Sequence, residues 1–344
     1  GAAVRFFVVC FILQHFVLDN IGVPFWLTVP SMVVLIWLYT RKGGIKTLVW
    51  TDTFQTLCMF AALLLIIYKV TGQLGMTPTE AIAAISQDEH SRIFVFDDWV
   101  SRQNFWKQFL SGIFVVIVMT GLDQDMMQKN LTCKTLREAQ KDMCSYGFAF
   151  VPANLLFLSL GVLLMMLAKS QGMALPEKPD DLLPMFAASG ALGSMVTVFF
   201  TIGVVAASFS SADSALTALT TSVCVDIFGR DEDEDLRKKV HLAVALVFML
   251  FIIGFGALNS TSVIDAIYIL CSYTYGPLLG LFAFGLMTHR KVNDRWVPWI
   301  CIASPLICFA VDTLTMQLTG YKFGYELLML NGALTFAGLA LIRK

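Results

Sequence analysis

Apolar residues run along this chain in long blocks, separated by short polar links. The blocks cover residues 4–18, 24–39, 53–68, 109–122, 143–168, 191–225, 240–258, 263–287, 296–316 and 327–342. Only helices or closed barrels satisfy the backbone inside lipid, and blocks this long exclude barrel strands. The pattern therefore predicts an all-α polytopic membrane protein with about ten transmembrane helices. Trp26, Trp106 and Trp296 lie at or beside block ends, where indole rings settle at the membrane–water boundary. The polar stretch 71–104 is long for a helix connection, and a short amphipathic helix is expected near residues 79–86. Pro152 and the pair Gly276-Pro277 fall inside blocks and are expected to kink them.

Charge in the links orients the chain. Of the 24 Lys and Arg residues, 17 fall on one side of the alternating blocks and 7 on the other. The positive-inside rule then places Arg41-Lys42 in the cytoplasm and the 71–104 loop outside. The acidic run 231–235 is also cytoplasmic and reads as a solvated loop.

One block differs in character from the rest. Residues 190–228 begin as a lipid-compatible span, but from Ala206 onward the segment becomes small and hydroxylated. Ala207, Ser210, Ser211, Ser214, Thr217 and Thr221 recur at helical spacing and share one face, with Asp213 among them near mid-span. A carboxylate at that depth costs roughly 2.5–3.5 kcal/mol on insertion scales, so it is expected to face a partner, a cavity or an ion. Small residues also let helices pack closely. Hydroxyl, carboxylate and carbonyl oxygens together form a hard donor set suited to an alkali cation.

Composition agrees with this picture. Residues are 57 % hydrophobic and 14 % charged, against about 25 % charged in soluble domains. The formal net charge is −1 and no basic run points to nucleic acid. Eight cysteines form no CxxC pair and four histidines are scattered, so neither a disulfide framework nor a zinc site is expected. Cys301 and Cys308 read as packing residues. No HExxH occurs, and no histidine falls where it would activate Ser210, Ser211 or Ser214, so enzymatic chemistry is not expected. The chain opens Gly1-Ala2-Ala3-Val4-Arg5 and enters an apolar block at once, and is expected to be a fragment of a larger protein.

Three local patterns agree with one another. The first runs from Tyr39 through Gly43-Gly44 to Trp50-Thr51-Asp52 and Gln55. The second is Gly121-Leu122-Asp123-Gln124 with Gln128-Lys129, followed by Arg137-Glu138-Ala139-Gln140-Lys141. The third is the Ala207, Ser210-Ser211, Asp213-Ser214 face, closing in Asp226-Ile227-Phe228. In this order and on these membrane sides they resemble the sodium:solute symporter family across essentially the whole chain. Lys129 departs from the arginine usual there, and Ile45-Lys46-Thr47 from the commoner Leu-x-Ala.

The resemblance implies a LeuT-type bundle of inverted repeats, with ion and solute near the bilayer midplane. It implies that residues 1–344 form a single transmembrane transporter domain, roughly core helices 3–10 plus two C-terminal helices, with core helices 1 and 2 missing. It implies a sodium-coupled symporter importing a small organic solute across the plasma membrane by alternating access. Two alternatives remain: a solute sensor built on a symporter-like domain, and a proton-coupled symporter using Asp213.

Sodium, the coupling ion, would be held by the Ala207 carbonyl and the Ser210 and Ser211 hydroxyls, with Ala206 as donor if the register slips by one. Asp52, Asp213 and Ser214 would form a second cation site or a gate, with Lys46 beside Asp52. By position, the solute would meet Val116, Met119, Thr120, Phe150, Tyr268 and Tyr273. The polar set that sugar carriers use is missing from those positions, which favours a smaller, more apolar or carboxylate-bearing solute. Asp265 and Asp312 read as solvated helix-end residues.

Overall fold

The computed structural model describes residues 2–19, 22–40, 45–101, 103–177, 179–230, 233–258, 263–321 and 323–342. Ten apolar blocks become helices in the order expected. They are α1 (Ala2–Leu13, with a π turn Gln14–Leu18), α2 (Phe25–Thr40), α3 (Ile45–Gln73), α5 (Phe105–Val116, with a π turn Ile117–Gly121) and α7 (Leu136–Ser170). Next come α9 (Ser194–Ser222, with a π turn Val223–Ile227), α10 (Glu234–Leu258), α11 (Val263–Met287), α12 (Val297–Thr319) and α13 (Leu327–Leu341). Short helices α4 (Pro78–Gln87), α6 (Gln124–Asn130) and α8 (Leu182–Ala188) lie between them.

Among the described residues, six helices are long and apolar enough to cross a membrane, and three more apolar helices are shorter. Several helices overrun the apolar blocks that predict them. Helix α7 has 35 residues, about 50 Å at 1.5 Å per residue, more than the roughly 30 Å hydrocarbon layer needs. Its first turns are polar, and Thr135 caps them by accepting from the Glu138 N–H at 3.2 Å. It continues through Pro152 as one helix, so the expected kink does not interrupt it. Trp26, Trp106 and Trp296 are all exposed at helix starts, as membrane-boundary residues should be.

The chain divides into two compact units. The larger comprises residues 2–91 and 128–263. In it α9 is central. One side packs with α1, α2 and α10 through Phe6, Cys10, Val33, Ile36, Ala212, Leu216 and Phe248. The other packs with α3, α7 and α8 through Leu63, Ile66, Leu164, Phe186, Val196 and Phe200. Lipid is as apolar as these side chains, so close approach rather than the hydrophobic effect holds such helices together. Ala212 and Ala215 on α9 allow that approach. The smaller unit comprises residues 92–127 and 264–344. There Val118 of the α5 π turn, Leu279 of α11 and Leu328 of α13 form a small core.

Helix α4 falls where the outer loop was expected to turn helical. Pro78 opens it, and Thr77 and Glu80 form a reciprocal capping box. The Thr77 N–H donates to the Glu80 carboxylate at 2.7 Å. That donor, followed by the Thr77 hydroxyl, holds the Glu80 carboxyl below its usual range. A lowered carboxyl stabilises above the unfolded pKa, about 4.3, and its contribution disappears as pH falls through the lowered value. Amide exchange in α4, corrected for intrinsic rates, should therefore quicken selectively below about pH 4. Glu80→Gln should abolish that pH dependence, and an unchanged profile in the variant would refute the assignment.

Candidate cation site

Helix α9 brings the predicted ion-binding residues into the interior of the larger unit. Ala206, Ala207 and Ser210 are partly buried, whereas Asp213 and Ser214 are fully buried. The Ser211 side chain lies outside the described residues. Further along the same face, Thr217 donates to the Asp213 carbonyl at 2.8 Å and Thr221 to the Thr217 carbonyl at 2.9 Å. Those two hydroxyl protons are spent on the helix itself. Asp213 accepts a 3.3 Å hydrogen bond from the Ser214 hydroxyl on Oδ1, while its buried Oδ2 has no hydrogen-bond partner among the described residues.

The other half of the site comes from α3 and the end of α6. Asp52 opens the apolar part of α3, and its Oδ2 meets the Lys129 ammonium at 2.8 Å. Both side chains retain about a quarter of their exposure. Oδ1 of Asp52 is buried and has no hydrogen-bond partner among the described residues. The Asp213 carboxyl lies within electrostatic reach of both members of this pair. One residue before Lys129, Gln128 donates its amide to the Ser214 carbonyl at 3.1 Å, tying the end of α6 to α9.

Among the described residues, two more buried acceptors nearby lack partners: Gln55 Oε1, three residues along α3 from Asp52, and Asn130 Oδ1, next to Lys129. A buried polar atom without a hydrogen bond costs roughly 1–3 kcal/mol. All four atoms are oxygen acceptors, and a cation or a proton is what such atoms lack. The Lys46 side chain, expected beside Asp52, lies outside the described residues; among those described, Asp52 meets the Lys129 ammonium. Lys129 stands in the second motif, but its 77-residue separation from Asp52 concealed the pairing.

Some of the positions expected to meet solute fall in one unit and some in the other, and each unit is described by itself. In the smaller, Val116 is exposed, and Met119 and Thr120 are partly buried within the α5 π turn. Interrupted helices of this kind are frequent at functional sites. Tyr273 of α11 is partly buried, with its ring 6.4 Å from that of Phe309. In the larger unit Phe150 is exposed on α7. The side chains of Tyr268 and Asp265 lie outside the described residues. Asp312, expected at a solvated helix end, instead lies within α12 and is partly buried, where its carboxylate accepts from the Phe323 N–H at 3.0 Å. Cys308 is fully buried, as a packing residue would be.

Three comparisons bear on this arrangement. The model of the sodium:solute symporter family matches residues 11–295. The sodium-dependent multivitamin transporter of Oryctolagus cuniculus is 26 % identical over 278 residues, covering 77 % of this chain and 43 % of its own length. The human sodium-coupled monocarboxylate transporter 1 is 24 % identical over 304 residues, covering 77 % and 45 %. The human sodium/iodide cotransporter is 30 % identical over 122 residues, covering 35 % and 18 %. The chain thus spans less than half the length of these relatives.

A solved Na+-coupled sialic acid symporter, in a substrate-bound outward-open state, superposes with a TM-score of 0.78 at 17 % identity. The match covers all of this chain and 72 % of that one, so the two share the LeuT-type fold. These proteins are named for transport, none for catalysis. With the family model matching most of its length, this integral multi-pass membrane chain belongs to the sodium:solute symporter family.

Proposed function

We propose that residues 1–344 form a single transport domain of a sodium-coupled symporter, which imports a small organic solute across the plasma membrane by alternating access. The observation that carries this reading is the family match over residues 11–295, a range that includes every residue assigned to the ion. Sodium binds hard oxygen donors. The Ala207 carbonyl and the Ser210 and Ser211 hydroxyls supply the first site on α9. Asp52, Asp213 and Ser214 supply a second, and the unpartnered oxygens of both carboxylates support that assignment. Lys129 holds Asp52 until an incoming cation competes for its charge.

The solute contacts are Val116, Met119, Thr120, Phe150, Tyr268 and Tyr273. Their mainly apolar character suits a small apolar or carboxylate-bearing solute better than a sugar. Coupling follows from linkage: if sodium tightens solute binding, solute must tighten sodium binding by the same factor.

Radioactive sodium binding to the purified full-length protein tests the ion assignment. Saturable, sodium-selective binding is expected in the wild type, with potassium as the control. Ser211→Ala should weaken it at least tenfold, or about 1.4 kcal/mol. Equal binding in both proteins, or none in the wild type, would overturn the assignment.

A further inference from the structure

Helix α11 contains Pro277 in its interior. A proline there has no N–H for the carbonyl four residues back, and its ring crowds that carbonyl. The residue four back is Tyr273. Inside a membrane a carbonyl freed in this way must find another donor. Asn331 of α13 provides one. Its side-chain amide donates to the Tyr273 carbonyl at 3.0 Å and to the Ser272 carbonyl at 3.0 Å.

The orientation of that amide is forced by chemistry. Both carbonyls can only accept, so the nitrogen must face them. The amide oxygen then accepts from the Ser304 hydroxyl of α12 at 2.6 Å. Ser304 also lies 2.7 Å from the Thr335 hydroxyl, and Thr335 donates to the Asn331 carbonyl at 3.0 Å. Asn331 and Thr335 are completely buried and Ser304 is 2 % exposed. Gly276 makes the approach feasible, since a Cβ there would lie 2.3 Å from the Asn331 side chain.

We infer that Asn331 is a positioning residue: its amide replaces the backbone donor that Pro277 removes, and so fixes the course of α11 at Tyr273. In its effect on solute this inference rests on the proposed function, because Tyr273 is one of the proposed solute contacts. The clamp itself does not depend on that reading.

The test is a double-mutant cycle in the full-length protein, combining Asn331→Leu with Pro277→Ala. Alanine at 277 restores an N–H to the Tyr273 carbonyl, so it should make Asn331 dispensable. Asn331→Leu alone is expected to raise the solute KM by about fivefold or more, with sodium binding changed less than about twofold. In the Pro277→Ala background the same substitution should change KM by less than about twofold. The melting temperature should show the same pattern, and it requires no transport.

Asn331→Asp, which keeps the size but loses both N–H donors, replaces the leucine variant if that variant does not fold. Equal effects of the Asn331 substitution in both backgrounds, or no effect in either, would overturn the inference. A wild type that binds no sodium would remove the proposed function, and the melting cycle would still decide the clamp.

Discussion

Lys129→Met is expected to lower the stability of the sodium-free protein by about 1–3 kcal/mol. Breaking a fully buried ion pair by deleting one partner costs about 3–5 kcal/mol, and here solvent reaches about a quarter of each side chain. The loss arises mainly from what remains. Asp52 would keep two carboxylate oxygens without the Lys129 counter-charge. A cation in solution should then replace the missing ammonium. Sodium is expected to raise the melting temperature of the variant more than that of the wild type, following the logarithmic dependence of ligand stabilisation on concentration.

Lys129→Arg should stay close to wild type, because it keeps the charge. Asp52→Asn should lose the share of the sodium response that the second site contributes, leaving the share that Ala207, Ser210 and Ser211 supply. Thermal melts of the four proteins across a sodium series, with potassium as control, check this. A variant destabilised equally at all sodium concentrations would show that the pair is structural and that the carboxylates do not form a cation site.

What could be read from sequence follows from how local each feature is. The apolar blocks were legible because lipid imposes a run of apolar residues on every helix that crosses it, whatever packs beside it. Each block became a helix, and among the described residues six of these are long and apolar enough to cross a membrane. The capped helix α4 was legible for a similar reason: Thr77, Pro78 and Glu80 lie within four residues. The small face of α9 was visible as spacing, since residues three and four apart share a helical side.

Tertiary pairings were not legible in this way. Asp52 with Lys129, and Gln128 with the Ser214 carbonyl, join residues 77 and 86 positions apart. Tyr275 donates to Asp123 at 2.9 Å across 152 positions. No periodicity encodes such distances. Asn331 did leave a trace, as a lone amide in an apolar block, and a polar side chain at that depth calls for a partner. Its partners are backbone carbonyls, which have no signature in sequence, so only the proline four residues after Tyr273 could have suggested them. The π turns at Gln14–Leu18, Ile117–Gly121 and Val223–Ile227 were hidden because one extra residue in a turn leaves the apolar pattern almost unchanged.

The second large effect is expected at Gly276. Substituting alanine there would bring a Cβ to 2.3 Å from Asn331 Cγ and Nδ2 and 2.4 Å from its Cβ. Atoms do not approach so closely, so α11 and α13 must separate or the Asn331 amide must leave the Ser272 and Tyr273 carbonyls. Overpacking alone costs about 1–3 kcal/mol. Losing donors to buried carbonyls adds about 1–3 kcal/mol for each one left unsatisfied. Gly276→Ala is therefore expected to destabilise by about 3 kcal/mol or more.

Gly285 provides the control within the same helix. Nothing lies within 4 Å of a Cβ built there, and alanine is the better helix former by about 0.5–1 kcal/mol, so Gly285→Ala should be neutral or slightly stabilising. The two variants differ by the same single methyl group on the same helix, so the comparison isolates the contact with Asn331. Thermal melting of both against wild type provides the measurement. If Gly276→Ala melts within about 1 °C of Gly285→Ala, α13 does not approach α11 as closely as the Asn331 clamp requires. If Gly276→Ala is strongly destabilised and shortening Asn331 to alanine restores part of the loss, the methyl group and the amide compete for one space, as the clamp demands.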